Sequence, residues 1–258
     1  MPRRRHDRVK PAPFEYHAPA TIDEACEMLG SLEDAKVLAG GQSLIPLLNF
    51  RLARPAHLID INRIRDVDRI YERDGGLAVQ ALARQAAVED SELAARVCPL
   101  LVDAVRLVAH RVIRNRGTVC GSLAHADPAS ELPAVLLVLG GHVVARSSRG
   151  DRVIESAQLF TGVFETALKP DEVLVEAWFP KAAGQHAIAE ESRRHGDFAL
   201  AGAVRAGDRL ALFGVAPTPV LADRSQPTRG LQPSGDLEAT AEFRLHLVGA
   251  LTEKVFAA

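Results

Sequence analysis

A short apolar run, Lys36-Val37-Leu38-Ala39, stops at two adjacent glycines, and Gln42 and Ser43 follow. No other stretch constrains the fold as strongly. The run reads as a strand and the glycine pair as a sharp turn. Ser43 stands where it can cap a short helix, LIPLLNF, with Pro46 in the first turn. Consecutive glycines leave backbone N–H groups uncovered, so such a turn can curl into an anion-binding nest. A helix starting at Ser43 adds its positive end. Taken alone, G-G-x-S after a strand is more often just a tight turn. A related stretch, RGTVCGS, lies at Arg116 to Ser122. The two stretches together read as a pair of candidate anion loops.

The 258 residues suffice for one large or two to three small domains with real cores. With 47% hydrophobic and 25% charged residues the chain is ordinary for a globular protein, and a net charge of −2 gives no electrostatic case for nucleic acid. The longest apolar stretch, LPAVLLVLGG at 132–141, is too short to span a bilayer and reads as a buried helix. Residues 1–10 form a basic tail with no apolar segment after it, so a cytoplasmic protein is expected. The tail is either a contact arm or a solvated end. Cys26, Cys98 and Cys120 cannot ligate a cluster needing four thiolates and make no zinc pattern with the nine histidines, so no metal is expected in this chain.

Read in order, 11–61 form a small α/β unit. Thr21 opens a capping box with Glu24, Ile22, Ala25, Cys26 and Leu29 share a helical face, Gly30 is a natural stop, and HLIDI (57–61) is a strand. A second unit covers 62–180. It holds a hairpin turning at Asp74-Gly75-Gly76, a helix over 88–96, and another from Pro99 with Leu101, Val105, Val108 and Val112 on one stripe. After RGTVCGS come the 132–141 helix and the strands HVVARSS, RVIES and EVLVEAWF. The last unit, 181–258, reads as three strands and a helix over 238–256 with Ala241, Leu245, Val248, Leu251 and Val255 inward, separated by a polar loop at 222–236.

Competing nucleotide motifs fail: there is no G-x-x-x-x-G-K-[ST], no G-x-G-x-x-G after a strand and no G-x-S-x-G elbow. His125 and Asp127 lie close in sequence, but no activated nucleophile completes a triad. Cys120, near Arg114 and Arg116, is either a lowered-pKa thiol or a small buried side chain.

Three collinear segments, AGGQSLIPLLNFRLARPAHLIDINRI (39–64), RNRGTVCGSLAHADPASELPAVL (114–136) and RRHGDFALAG (193–202), resemble the FAD-binding medium subunit of the molybdenum hydroxylases, the carbon-monoxide dehydrogenase and xanthine dehydrogenase flavoprotein family. The resemblance implies an α+β, vanillyl-alcohol-oxidase-type fold. Two α/β subdomains hold FAD between them, and a small C-terminal α+β subdomain, here shortened, carries a three-stranded antiparallel sheet and a helix. It places Ala39, Gly40, Gly41, Gln42 and Ser43, and Thr118, Val119, Cys120, Gly121 and Ser122, against the FAD diphosphate. Ala124 and Asp127 then lie along the ribityl and flavin region and Phe198 near the isoalloxazine ring, although Phe198 reads equally well as a core aromatic. The family's second motif usually has glycine where Cys120 stands, so a negative φ is expected at Cys120. No catalytic acid or base is implied. A large molybdopterin-binding subunit and a small subunit with [2Fe-2S] clusters are the implied partners, in a dimer of heterotrimers, with FAD passing electrons to an external acceptor. A self-sufficient flavin oxidase and an FAD-free assembly subunit are the alternatives.

Overall fold

The computed structural model describes residues 11–258, so the basic tail lies outside the described residues. The strands group into three main sheets and a two-stranded ribbon.

The first sheet is parallel. Strand β1 (Glu15–His17) and β2 (Ala35–Leu38) flank β3 (His57–Asp60). Helix α1 (Ile22–Ser31) begins as its sequence dictates: the Thr21 hydroxyl accepts from the Glu24 N–H at 3.1 Å, and the Glu24 carboxylate accepts from the Ala20 N–H at 2.7 Å. Gly30 does not end α1 but lies within it, and an extended Leu32 ends the helix after Ser31. Ile22, Ala25, Cys26 and Leu29 pack onto Ile59 and Ile61, and this small core reaches Leu82 and Val173 of the next layer. Helix α2 (Leu44–Asn49) follows the glycine turn. Ser43 does not cap it with its side chain, because Ser43 is already helical (φ −97°, ψ −48°) and a capping side chain needs an extended backbone.

The second sheet is antiparallel, in the order β4 (Ile70–Arg73), β5 (Gly76–Gln80), β10 (Val173–Pro180), β6 (His142–Ser147) and β7 (Gly150–Glu155). The β4–β5 hairpin turns at Asp74 and Gly75, both at positive φ (52° and 72°), as a two-residue turn with right-handed strand twist requires. The helix expected over 88–96 is two helices, α3 (Gln85–Glu89) and α4 (Glu92–Val97). Ser91 breaks the run by capping α4, accepting from Ala94 N–H at 3.1 Å. Helix α5 (Pro99–Leu107) stops before the end of the apolar stripe, so Leu101 and Val105 are buried while Val112, in α6 (Arg111–Arg114), is exposed. Helix α7 (Val119–His125) leads to α8 (Glu131–Leu139), apolar on every side and buried from Glu131 to Val138. Gly140, at φ 73°, ends it. The one-turn helix α9 (Ser156–Leu159) and the ribbon of β8 (Phe160–Gly162) and β9 (Glu165–Thr166) complete this layer.

The third sheet has four strands where three were expected: β11 (His186–Ser192), β12 (Ala199–Ala206), β13 (Arg209–Phe213) and β14 (Val220–Ala222). The last is a three-residue edge strand, too short to leave an alternation signal. Helix α10 (Ala241–Ala257) covers this sheet with Val248, Leu251 and Val255. Ala241 and Leu245, expected inward, are only half-buried, and the buried residue of that first turn is Arg244. Its guanidinium donates to the carbonyls of Leu200 and Gly214 and to the Asp236 carboxylate. Phe213 and Val204 join Leu77, Leu101, Leu123, Leu136 and Phe179 in one core shared by the second and third sheets.

Candidate functional site

Strand β2 delivers the chain to Gly40 and Gly41, and α7 begins at Thr118. These two points touch. A Cβ on Gly40 would stand 2.4 Å from the Arg116 carbonyl oxygen and 2.9 Å from the Gly117 Cα, so only glycine allows the two backbones to approach this closely. Gly41 adopts φ 75°, in the left-handed region, and its carbonyl accepts from Ile45 N–H at 3.0 Å. The turn leaves the N–H groups of Gly40, Gly41, Gln42 and Ser43 without a protein acceptor among the described residues. Gln42 is held by its own side-chain amide, which donates to the Gly40 carbonyl at 3.2 Å.

The second wall is the first turn of α7. Thr118 is its N-cap, its hydroxyl accepting from Gly121 N–H at 2.9 Å. A Cβ on Gly121 would lie 2.5 Å from that hydroxyl, so the glycine preserves the cap. Cys120 keeps a negative φ as expected, and its N–H has no protein acceptor among the described residues. Its side chain is in the core, Sγ 3.4 Å from the Val79 carbonyl, and burial pushes the thiol well above its ordinary range, with Glu176 adding to the rise. Cys120 is therefore a buried side chain and not an activated nucleophile.

Two residues that sequence reasoning did not single out hold the walls together. The Asn62 amide donates to the Ala39 carbonyl at 2.7 Å. Arg84 donates to the Asn62 side-chain oxygen and to the Arg116 carbonyl, both at 2.7 Å. The brace continues into backbone pairing, with Gln85 N–H donating to the Gly117 carbonyl at 2.8 Å and Arg84 bridged to Thr118. On the other side Asp60 accepts from Asn62 N–H at 2.9 Å and from the Tyr16 hydroxyl at 2.7 Å. Burial opposes ionisation of Asp60, but the Asn62 and Tyr16 hydrogen bonds outweigh it and hold the carboxyl below its ordinary range. Asn62 lies in the quoted 39–64 segment, where its position just after a strand was the available signal.

The far end of α7 opens on a cleft of about 460 Å³ between the α7–α8 turn and the third sheet. Asp127, Phe164, Phe198, Gly214 and Arg244 are among its walls. Asp127 caps the turn, accepting from Ala129 N–H at 2.9 Å. Phe198 is 74% exposed, so it is not a core aromatic; Phe164, at φ 58°, is 54% exposed beside it. His125, half-buried with its ring 5.0 Å from that of Phe164, is held below its ordinary pKa by burial, against the pull of Asp127. Ala124 is exposed on α7 between the two ends. A seven-residue helix rises about 10 Å, so α7 links a small-residue anion nest to an aromatic-rimmed cleft. The residues fit a long ligand with a diphosphate in its middle and a flat ring at one end.

Residues 12–182 match the FAD-binding domain of molybdopterin dehydrogenases. The chain is 34% identical to the alpha subunit of the 6-hydroxypseudooxynicotine dehydrogenase complex of Paenarthrobacter nicotinovorans, over 96% of this chain and 95% of that one. It is 38% identical to caffeine dehydrogenase subunit beta of Pseudomonas sp. (strain CBB1), covering 92% of this chain and 85% of the relative. Among solved structures, carbon monoxide dehydrogenase from Hydrogenophaga pseudoflava superposes with a TM-score of 0.91 at 33% identity, over 96% of this chain and 97% of that one. The chain belongs to the FAD-binding domain family of molybdopterin dehydrogenases and is the FAD-binding, medium subunit of a molybdenum hydroxylase, an oxidoreductase component.

Proposed function

We propose that FAD lies across the α7 helix, with its diphosphate between the Ala39–Ser43 turn and the Thr118–Ser122 turn and its ring in the cleft rimmed by Asp127 and Phe198. The observation that carries this is the contact of Gly40 with Arg116–Gly117, flanked by backbone N–H groups that have no protein acceptor among the described residues. When bound, FAD accepts electrons singly and releases them as a pair. The chain's own work is to bind and orient. Backbone N–H groups of both turns hold the anion, Asn62 and Arg84 fix their spacing, and Phe198 offers a face to the ring. In this reading the vanillyl-alcohol-oxidase-type layout and its division at 61/62 and 180/181 put the diphosphate between the first two subdomains and the third beside the ring.

Electrons reach this chain from [2Fe-2S] clusters of a small subunit, fed by a molybdenum cofactor in a large subunit. The complex is a cytoplasmic dimer of heterotrimers. No helix among the described residues is long and apolar enough to cross a membrane. Relatives named for caffeine and for 6-hydroxypseudooxynicotine fit one medium subunit serving different chemistries, since the substrate is then selected in another chain. A self-sufficient oxidase or an FAD-free assembly subunit is tested by the visible spectrum and turnover of the isolated chain: yellow and inactive toward substrates is the expected result.

Gly41→Val strains the backbone at φ 75° as well as blocking the nest, so it does not separate binding from folding. Ser43→Asp does. Ser43 is exposed and its side chain caps nothing, so the fold loses nothing, while a carboxylate arrives beside the diphosphate. The expected result is at least tenfold weaker FAD retention, relieved by high salt, with an unchanged melting temperature without FAD. Full FAD content in Ser43→Asp would contradict the placement. Arg84→Ala removes two charge-assisted hydrogen bonds worth about 1.5–3 kcal/mol together. It should lower the melting temperature by about 5 °C and weaken FAD retention about tenfold, both read by paired thermal scans and absorbance ratios.

A further inference from the structure

The parallel pairing of β1 with β3 sets Glu15 opposite His57, and Glu15 and His17, two residues apart on one strand, point to the same face. Three potential ligand atoms converge there. His17 Nε2 lies 3.1 Å from His57 Nδ1, His57 Nδ1 lies 3.5 Å from Glu15 Oε2, and His17 Nε2 lies 4.0 Å from Glu15 Oε2. A tetrahedral ion with bonds of about 2.0–2.1 Å holds its ligand atoms about 3.3–3.4 Å apart, and the three edges bracket that value. The imidazoles are mostly buried, at 24% and 19% exposure, while the carboxylate is 75% exposed.

We propose that Glu15, His17 and His57 bind one divalent transition-metal ion of the zinc class and so clasp β1 to β3. Two imidazoles and a carboxylate favour zinc, cobalt or nickel over magnesium or calcium, which take all-oxygen sets. The fourth position opens past Glu15 to solvent, which makes the ion exchangeable. Without the ion, one imidazole donates its N–H to the other. The Glu15 carboxylate faces both rings. Tyr16 points to the opposite face, where it donates to Asp60.

The spacing His17-x39-His57 matches no sequence motif for zinc, which explains why histidine and cysteine counts gave no metal. What the ion adds is local: it ties β1 to the central strand of the sheet whose third strand, β2, ends at Leu38, just before the Gly40 turn.

The test uses the full FAD-loaded chain, stripped of metal with a chelator and titrated with zinc chloride by calorimetry and with cobalt chloride by difference absorbance beyond the flavin bands. One equivalent of zinc, binding at about micromolar concentration or tighter, and cobalt bands of tetrahedral intensity are expected. The His17→Gln/His57→Gln double variant should lose both signals and the zinc-induced rise in melting temperature. Glu15→Gln, changing an exposed side chain, should weaken zinc at least tenfold without moving the metal-free melting temperature. No stoichiometric uptake by the wild-type chain would overturn the proposal. So would equal uptake by the double variant, whose His6 is intact, or displacement of zinc by equimolar magnesium.

Discussion

Gly40→Ala abolishes FAD binding, weakening it by at least a hundredfold. The added methyl would stand 2.4 Å from the Arg116 oxygen and 2.9 Å from the Gly117 Cα. Both are backbone atoms, so no side chain can swing aside to make room. The two turns must part by about an ångström, and the N–H groups proposed to converge on the diphosphate then no longer converge. Gly30→Ala is the matched control. It makes the same chemical change within α1, where a Cβ meets nothing within 4 Å, and it should raise stability by about 0.5–1 kcal/mol with FAD content unchanged. The ratio of flavin to protein absorbance after gel filtration, with far-ultraviolet dichroism as the folding check, reads both variants. A folded Gly40→Ala chain with full FAD would show that the turns need not touch for the cofactor to bind.

The strand, glycine turn and short helix at 36–49 were legible because each step is local. An apolar run ends at residues that free the backbone, and a proline follows in the first helical turn. The same locality made the Asp74-Gly75 hairpin and the buried α8 helix with its Gly140 stop readable. The negative φ at Cys120 followed from the cost of placing a cysteine in the left-handed region. The brace between the turns was not legible, because Asn62 and Arg84 are separated from their partners by 22 to 32 positions, and an Asn or Arg at such a separation carries no periodic signal. Arg244 was missed for a related reason. A charged residue in an apolar stripe reads as the exposed face, yet here three acceptors brought from distant loops satisfy it in the interior. The break at Ser91 was visible in principle. Serine followed by Glu92 is a helix-start signal that a single helix over 88–96 passes over.

The contribution of Glu131 and Glu190 to stability should fall as pH rises from about 5 to 8, and Glu131→Gln should remove the larger part of that fall. Glu131 opens α8, where the helix dipole favours a negative charge by about 0.3–1 kcal/mol. Burial works the other way and costs an unpaired carboxylate several kcal/mol, so burial wins. It pushes the Glu131 carboxyl up to about 8, with the Glu190 charge adding to the rise. Burial pushes Glu190 to about 7, and its Oε2 is buried without a hydrogen-bond partner. Neither carboxyl forms an ion pair with a cation among the described residues. The folded state therefore holds protons that the unfolded chain, titrating near the ordinary 4.5, releases. Between these limits the native state binds more protons than the unfolded state, so unfolding free energy decreases with pH. The stability present below pH 4.5 is progressively lost as pH rises toward 8. Glutamine keeps the shape and never ionises. Glu131→Gln should match the wild-type melting temperature near pH 5 and exceed it at pH 8 by about 4–8 °C, corresponding to about 2 kcal/mol. Glu190→Gln should produce a smaller gain shifted to lower pH, and the double variant less than the sum, because each carboxylate penalises the other. Parallel melting profiles for wild type and Glu131→Gln across this range would show that the buried carboxyl is already solvated or paired in solution.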